Sequence, residues 1–543
     1  MPACRNPSTI RPGGGALNSG TSEMGATDSS PKPTAPPCAA CLGGAVILQN
    51  APMQSVDVLI MGAGMSGLCM AVALKRAHQH NFVVLEKSRG LGGTWWDNRY
   101  PGAQVDVPAP LYSLSFEPNP HWQRRFAAAP EIHAYMSGVA QRHGVLPHLR
   151  LGTRVESARF DQATGRWHIR TRQGDGEPDR DAACQDYDAQ FFVCSTGPLS
   201  QPRWPDIEGL ADFAGTRLHS ARWDADVPLH GRRVGVIGTG STAAQLVAPL
   251  AQGAGQLQVF QRTANWVLPR MDRPYHALDR VLARLPPYSA AVRAFWFHLL
   301  EWGRRGFDDG TLARRTLLAA AQRHLQRQIR DPALRAQLTP TYALGCKRII
   351  YSNDYYPALA RPNAKLVTCA IERITPSGVL TADGHEHPLD VLVCATGFDV
   401  QHALSGVAIS GRQGHTLAAA WSSGPQARLG LTVAGFPNLF FMLGPNTATG
   451  HTSTLLFIEP GVRWAVQAMQ EVQRRSRRWI DIKPAVMQAF NDELQARLVG
   501  SVWSQCRSWY RADSGRNIAI WPGFTREYVR AVAAQSWGEF EFG

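Results

Sequence analysis

The chain has 543 residues, 44% of them hydrophobic and 18% charged, which fits a globular protein of more than one domain. It contains no uninterrupted apolar run of about 18 residues, which argues against a membrane-spanning helix. The net charge of +14 favours anionic ligands, but the arginines are spread along the chain and do not indicate nucleic-acid binding.

The first 52 residues are rich in Ser, Pro, Gly and Ala and show no periodicity, so a disordered N-terminal extension is predicted there. This segment lacks the layout of a signal peptide, and its Cys-x-x-Cys pair does not stand at a helix start. Cys69, Cys194 and Cys394 lie inside apolar runs and are expected to be buried thiols. Together these features predict a reducing, cytoplasmic location.

A glycine loop follows the first apolar strand, residues 56–61. Gly62, Gly64 and Gly67 lead into a helical pattern, and a second apolar strand ends at Glu86. This order is typical of a dinucleotide-binding βαβ unit, in which the glycines allow a tight turn, close approach to a pyrophosphate and close packing. The acid would bind ribose hydroxyls. The alternative is an ordinary glycine-rich turn.

A segment rich in glycine and tryptophan, residues 92–106, comes next. Glycines beside aromatic rings indicate a backbone packed against a flat ligand. We therefore expect Asp106 to belong to a site, although a solvated turn carboxylate is the alternative. The following buried strand ends in Thr196 and Gly197, a pattern repeated at 396–397.

A second nucleotide unit is centred on Gly238, Gly240 and Ala243. The position that holds Glu86 in the first unit holds Arg262 here. An acid there repels a 2′-phosphate, whereas an arginine pairs with it. The first unit therefore suits FAD and the second suits NADPH, unless the arginine is merely a surface residue at a strand end.

Helices are predicted at 277–285, 289–304 and 311–330, with arginines and apolar stripes. A helical insertion with solvated faces is the preferred interpretation, with a lid or a membrane-surface contact as the alternative. Lys347 and Arg348 then open into an apolar segment, where adjacent cations need an anionic partner. His385 and His387 lack the spacing of a zinc motif, so no metal site is predicted.

The segment before the second glycine loop carries Phe213, Gly215, His219 and Trp223, followed by Asp224. It resembles the FxGxxxHxxxW fingerprint of Baeyer–Villiger monooxygenases, class B flavoproteins such as phenylacetone, cyclohexanone and 4-hydroxyacetophenone monooxygenases. The resemblance implies FAD, NADPH and O2, and conversion of ketones to esters or lactones through a C4a-peroxyflavin. An N- or S-oxygenating flavin enzyme, an uncoupled NADPH oxidase and a non-catalytic FAD/NADP-binding protein are the alternatives.

The resemblance also implies roles for single residues. Arg348 would be catalytic and held by Asp106, Lys347 and Arg262 would meet the NADPH phosphate, and His219 would act on coupling. The full set expected at the cofactors is Gly62, Gly64, Gly67, Glu86, Gly93, Thr94, Trp95, Trp96, Asp106, Tyr112, Val155, Gly238, Thr239, Gly240, Ser241, Ala243, Gln245, Arg262, Thr263, Lys347, Arg348 and Trp509.

The expected fold class is α/β, with two Rossmann-like dinucleotide-binding domains, for FAD and NADPH, and a helical insertion. The tail at 515–517 resembles the branch that acts on aryl or open-chain ketones. A monomer or homodimer is expected. The predicted bounds are 1–52 extension, 53–200 FAD domain, 201–270 NADPH domain, 271–340 insertion, 341–388 NADPH domain again, and 389–543 FAD domain again with a C-terminal cover loop.

Overall fold

The structure is a computed structural model that describes residues 52–174 and 183–543. The disorder predicted for residues 1–52, like the Cys-x-x-Cys pair within them, lies outside the described residues except at residue 52. Buried strands and the helices that cover them account for most of the described core.

The first sheet is built on the first predicted βαβ unit. Gln54–Met61 pairs in parallel with Phe82–Leu85 on one side and with Cys184–Cys194 on the other. Flanked on both sides, the central strand is buried along most of its length, which explains its continuous apolar run. Within the described residues eight strands form this sheet, in the order Ala408–Ser410, Thr153–Asp161, Arg166–Gln173, Cys184–Cys194, Gln54–Met61, Phe82–Leu85 and Leu149–Arg150, with Leu439–Phe441 also paired to Cys184–Cys194.

The second sheet is built on the second βαβ unit and is parallel throughout. Its last strand in the chain, Val391–Cys394, lies beyond residue 388, so the second sheet extends past the point at which the predicted domain bounds return to the first. The two sheets confirm the predicted α/β class with two Rossmann-like units. The five strands found in the described residues run in the order Ala364–Val367, Gln256–Phe260, Arg233–Ile237, Val391–Cys394 and Thr216–His219.

Two chain segments cross between the sheets side by side, one after each strand that ends in Thr-Gly. The Arg203 N–H donates to the Gly397 carbonyl at 2.9 Å, and the Asp399 N–H donates to the Gln201 carbonyl at 2.9 Å. An antiparallel bridge joins Pro202 to Phe398 between these bonds. The crossings therefore form one short two-stranded ribbon.

The helices cover the sheets, and those of the predicted insertion form close to the residues at which the sequence places helices. Its helices are Ala277–Ala283, Pro286–Gly303, Leu312–Gln328 and Pro332–Gln337. The other described helices are Met65–Arg76, Thr94–Asp97, Ala129–Arg142, Ser241–Gly253, Tyr355–Leu359, Leu417–Ala420, Leu455–Arg474, Pro484–Val499 and Thr525–Ala533.

Short strands complete the architecture. Val267–Leu268 pairs with Ile350–Tyr351, and this pair fixes the backbone next to the Lys347–Arg348 segment. In the remaining pairings, Gly378–Thr381 lies between Ile371–Thr375 and Glu386–Pro388, and Ile480–Ile482 pairs with Phe540–Phe542.

Candidate active site

Arg348 and Asp106 form a two-pronged ion pair, as the family resemblance implies. The Arg348 Nε donates to Asp106 Oδ2 at 2.9 Å and Nη2 donates to Oδ1 at 2.8 Å. Arg348 is held by the strand that follows it, because the Ile350 N–H donates to the Trp266 carbonyl. Asp106 is held by its neighbour, because the Val105 N–H donates to the Ala127 carbonyl. The planar fork fixes the guanidinium in one orientation.

The guanidinium remains charged and partly open. Its third nitrogen, Nη1, donates to the Thr449 carbonyl at 3.3 Å. The negative charge of Asp106 raises the pKa of Arg348 above its usual value. The Arg348 side chain is 32% exposed, so one face can still contact a bound molecule. This arrangement presents a permanent positive charge to a developing anion.

Aromatic side chains surround this pair. Trp95 Nε1 donates to the Tyr112 hydroxyl at 3.0 Å, and the two rings meet edge to face. Burial raises the pKa of Tyr112 to about 12. It also raises the pKa of Tyr510 to about 12, a rise that the positive charge of Arg348 opposes. These phenols therefore stay neutral near neutral pH. Tyr510 stands in the C-terminal sequence Ser508-Trp509-Tyr510, and no motif in the sequence predicts a role for it.

The first glycine loop can take only glycine at its turn and its packing position. A Cβ on Gly67 would lie 1.9 Å from the Gly62 carbonyl oxygen, and Gly62 has a φ of +106°. Gly64 faces Gly93, whose added Cβ would lie 3.0 Å from the Gly64 Cα. Two backbone loops thus form one bare wall beside the N-terminus of helix Met65–Arg76, which fits the pyrophosphate of FAD.

Glu86 lies at the end of its strand with a buried carboxylate. It accepts N–H donors from Ala63 at 2.8 Å and Ser88 at 2.9 Å. Burial raises the pKa of Glu86, and both donors oppose that rise. Two oxygens accept more than two hydrogen bonds, so acceptor capacity remains for ribose hydroxyls.

Several buried polar atoms near the first domain have no hydrogen-bond partner among the described residues. They include Ser195 Oγ, Asn446 Oδ1 and Thr452 Oγ1. Ser195 directly follows strand Cys184–Cys194, and Asn446 and Thr452 lie in the segment before helix Leu455–Arg474. Unpaired buried polar atoms are costly, so a polar ligand at these positions would satisfy them. The residues present fit a flavin nucleotide.

The second glycine loop is equally suited to a dinucleotide. Gly238 has a φ of +117°, and a Cβ on Gly240 would meet no described heavy atom within 4 Å. Ser241 and Ala243 open helix Ser241–Gly253, whose first N–H groups have no partner inside the helix. Thr239 is fixed from the next strand, because its Oγ1 donates to the Thr263 carbonyl at 2.9 Å. The open side of the loop fits NADPH.

Arg262 and Lys347 bring two cations to the same place. Burial lowers the pKa of Lys347, and the positive charge of Arg262 lowers it further. The Lys347 Nζ lies 4.9 Å from the centre of the Tyr342 ring. Neither cation has a carboxylate within 4.0 Å in the part of the chain that the structure describes. A pair of like charges without an acid fits an anionic group such as a 2′-phosphate.

Two residues predicted to bind cofactor, Gln245 and Val155, are occupied by contacts within the protein. Gln245 accepts from the Tyr100 hydroxyl at 2.8 Å, and its Nε2 donates to the Gln104 carbonyl at 3.0 Å. It thus joins the second-sheet helix to the segment before Asp106. Val155 is buried in the first sheet. Cofactor contact by these residues stays a prediction.

Trp96 lies on the short helix after Gly93, with the Arg99 guanidinium 4.0 Å from the centre of its ring.

The fingerprint segment lies beside the two-stranded ribbon. His219 is buried at the end of its strand, where its Nδ1 accepts the Ala221 N–H at 3.1 Å. Its Nε2 therefore carries the proton and donates to the Arg203 carbonyl at 3.3 Å. Burial lowers the pKa of His219, which keeps it neutral. Phe213 is buried and Gly215 lies against the Asp390 carbonyl. Trp223 packs at the edge of the second core.

A disulfide ties the predicted cover loop to the Arg348 segment. Cys346 and Cys506 are bonded, with Cα atoms 6.1 Å apart and a separation of 160 in sequence. Cys346 lies two residues before Arg348, and Cys506 lies three before Trp509, which is 40% exposed. No spacing in the sequence predicts this pair. The buried free thiols predicted at Cys69, Cys194 and Cys394 are confirmed.

A buried carboxylate–imidazole pair backs the site, and sequence reasoning missed it. Glu301, on the inner face of helix Pro286–Gly303, lies 3.2 Å from His451 Nε2 and accepts the Thr525 N–H at 2.8 Å. His451 Nδ1 lies 3.1 Å from the hydroxyl of Thr449, whose carbonyl accepts Arg348. The insertion, the C-terminal helix and the Arg348 contact thus share one network. Only the apolar helix around Glu301 hinted at its burial.

This network predicts acid sensitivity. Burial lowers the pKa of His451 below its ordinary 6.5. Burial alone would raise the pKa of Glu301, but bonds from His451 and Thr525 lower it to about 2. Both groups have depressed pKa values, so both stabilise the fold above their unfolded pKa. The contribution of His451 falls as pH drops below about 6.5, and that of Glu301 falls only below about 4.5.

We expect the melting temperature of His451→Gln to fall less steeply between pH 7 and pH 5 than that of the wild type, by thermal unfolding monitored with flavin fluorescence. His230→Gln, which changes an exposed histidine, is the control and should keep the wild-type slope. Parallel slopes for His451→Gln and the wild type would contradict the assignment.

No helix in the described residues is long and apolar enough to cross a membrane. The same residues contain no cluster of three metal-binding side chains. His387, in the segment dismissed as a zinc motif, bonds to Gln258 at 2.7 Å.

The chain is similar to known flavin monooxygenases along most of its length. The family of NAD(P)-binding Rossmann-like domains matches residues 60–129. A Baeyer–Villiger monooxygenase from Pseudomonas aeruginosa is 39% identical over 489 residues, covering 89% of this chain and 91% of its own. Cyclohexanone monooxygenase from Rhodococcus sp. Phi1 bound to NADP+ superimposes with a TM-score of 0.80 at 29% identity, covering 90% of this chain and 99% of that one. The OTEMO complex with FAD and NADP superimposes with a TM-score of 0.75 at 26% identity, covering 90% of this chain and 100% of that one.

Proposed function

Because this chain belongs to the family of Baeyer–Villiger monooxygenases, we propose that it converts ketones to esters or lactones and that Arg348 is its catalytic cation. It is an FAD enzyme that consumes NADPH and O2. The observation that carries the assignment of Arg348 is its two-pronged hold on Asp106 together with its open face.

The cofactors supply electrons from NADPH and an activated oxygen atom from O2 on the flavin. The protein must then stabilise the negative charge that develops on the ketone oxygen as that oxygen atom is inserted next to the carbonyl carbon. Arg348 supplies a charge that is not lost near neutral pH. A fixed donor of this kind typically contributes ~10²–10³ in rate. The products are the ester, NADP+ and water.

Asp106 acts as a positioning residue. Its two oxygens hold Nε and Nη2 of Arg348 while the Thr449 carbonyl accepts from Nη1, which leaves the exposed face for other contacts. Tyr112 and Tyr510 close the surroundings with neutral phenols and limit access of water. In a drier site, the attraction between a guanidinium and an anion is stronger.

Arg262 and Lys347 are proposed to bind the 2′-phosphate of NADPH. We expect Arg262→Ala to raise the KM for NADPH roughly 10- to 100-fold, since a charged hydrogen bond contributes about 1.5–3 kcal/mol. The KM for NADH, which lacks the phosphate, should change little. Steady-state NADPH and NADH consumption with one ketone measures both.

Arg232→Ala is the matched control, because Arg232 is exposed just before the first strand of the same unit, at the opposite end from the glycine loop. It should leave both KM values unchanged. An equal rise for both nucleotides in Arg262→Ala would show that Arg262 does not read the phosphate.

Aryl or open-chain ketones are the proposed substrates, on the resemblance of the tail at 515–517. A panel of aryl, open-chain and cyclic ketones, with ester products identified by mass, tests this preference. A thioether in the same panel and the hydrogen peroxide yield separate the proposal from an N/S-monooxygenase and from an uncoupled NADPH oxidase. A monomer or homodimer in the cytoplasm is proposed, where the Cys346–Cys506 bond would meet reducing thiols.

A further inference from the structure

Exposed apolar side chains are concentrated on the insertion. Fifteen large apolar side chains are exposed among the described residues, and eight of them lie between residues 271 and 312. Single exposed apolar residues are ordinary, but a contiguous group marks an interaction surface. Leu278 is 68% exposed and Phe295 59%, values that no core role explains.

These side chains follow the helices at regular spacing. Tyr288, Phe295 and Trp302 are each seven residues apart on helix Pro286–Gly303, so they project from one side. The same helix buries Trp296 and Glu301 on its other side. We define the outer face as the exposed residues Leu278, Val281, Leu285, Tyr288, Phe295 and Trp302.

Positive charge accompanies the outer face. Residues 271–340 contain twelve arginines and six acids. Three of the six acids pair with arginines of this segment, so nine of the twelve arginines have no acid of the segment within 4.0 Å. All six acids are engaged: Asp272 with Arg124, Asp279 with Arg273, Glu301 with His451, Asp308 with Arg304, Asp309 with Arg314, and Asp331 as a helix N-cap.

Three arginines beside the outer face have no acidic partner. Within residues 52–174 and 183–543, no carboxylate lies within 4.0 Å of the guanidinium of Arg280, Arg284 or Arg305. Arg280 and Arg284 lie on and just after helix Ala277–Ala283, and Arg305 lies three residues after Trp302. Aromatic and aliphatic side chains interleaved with free arginines match the chemistry of an interfacial membrane helix.

We propose that the outer face docks on an anionic phospholipid surface, with the apolar side chains entering the headgroup region and the arginines contacting lipid phosphates. A second copy of the chain fits less well, because a two-fold contact through this face would bring arginine against arginine. The sequence alone favours solvated helix faces here. A helix shows the same apolar spacing in sequence whether its apolar face is buried in a core or exposed at a surface. Only the solvent exposure seen in the structure distinguishes the two cases.

Docking would bring the bilayer close to the candidate site. Glu301 and Phe295 point about 120° apart around one helix, and a helix with its side chains is about 10–12 Å across. The Glu301 side belongs to the network that includes Thr449 and His451. Membrane contact therefore occurs at an element that also supports Arg348.

Co-sedimentation of the full-length holoenzyme with vesicles tests the proposal. Vesicles of phosphatidylcholine mixed with phosphatidylglycerol should retain the enzyme at low salt, and vesicles of phosphatidylcholine alone should retain far less. The double variant Phe295→Ser/Trp302→Ser should bind at least tenfold more weakly, from the apolar area lost. Arg280→Gln/Arg284→Gln should lose roughly fivefold for each arginine.

The matched control is Val499→Ser, which removes an exposed apolar side chain outside the insertion and should bind vesicles like the wild type. Oxidation of a water-soluble ketone should be unchanged in Phe295→Ser/Trp302→Ser, which shows that the variant is folded. Equal retention by both vesicle types, no retention by either, or a wild-type dimer that this double variant converts to monomers without vesicle binding would each overturn the proposal.

Discussion

Arg348→Lys should lose ester formation by a factor of ~10²–10³ while NADPH still reduces the flavin at close to the wild-type rate. Lysine keeps the charge but has no planar fork to match both oxygens of Asp106. Its ammonium would therefore not hold the orientation that the two bonds at 2.8 and 2.9 Å impose. Ester yield from a ketone and anaerobic flavin bleaching, measured on the same preparation, separate the two steps.

Arg428→Lys is the matched control. Arg428 also pairs with a carboxylate, that of Glu539 at 3.0 Å, and its side chain is only 15% exposed. It should leave ester formation unchanged. If Arg348→Lys and Arg428→Lys behave alike, or if flavin reduction by NADPH fails together with ester formation, the role assigned to Arg348 is wrong.

Cys506→Ser should destabilise the enzyme by about 2–5 kcal/mol, because the bond to Cys346 closes a loop spanning 160 residues. The cover loop would also lose its tether near Arg348, so a larger share of the consumed NADPH should appear as hydrogen peroxide. Thermal unfolding and peroxide yield, each measured with and without a thiol reductant, test both effects.

The reductant provides its own control. It should shift the wild type toward the behaviour of Cys506→Ser and leave that variant unchanged, since Cys346–Cys506 is the one disulfide found within residues 52–174 and 183–543. A wild type that is indifferent to reductant, or a variant that still responds to it, would contradict this account.

The local parts of the fold were predictable because their signals are contained in short stretches. The two glycine loops each follow an apolar strand and precede a helix, and the structure places Gly62 and Gly238 at positive φ at the end of those strands. The contrast between Glu86 and Arg262 is also local, because the two residues occupy the same position relative to the glycine loop of their own unit. Such features need only a strand, a turn and a helix, which sequence periodicity reports directly.

Contacts between distant segments were not predictable from spacing. Arg348 and Asp106 are 242 residues apart, and only the family resemblance joined them before the structure did. Glu301 and His451 are 150 residues apart and lie in segments with no motif. The disulfide has the same character. Each depends on how the insertion and the tail pack against the sheets, which no local propensity encodes.

The ribbon of two crossing segments has a mechanical consequence. Because the bonds at Arg203 and Asp399 lock the crossings together, neither segment can swing alone. Any rotation of one nucleotide-binding half against the other would therefore use the ribbon as a single hinge axis. His219 donates a hydrogen bond to the Arg203 carbonyl and therefore lies next to this hinge axis.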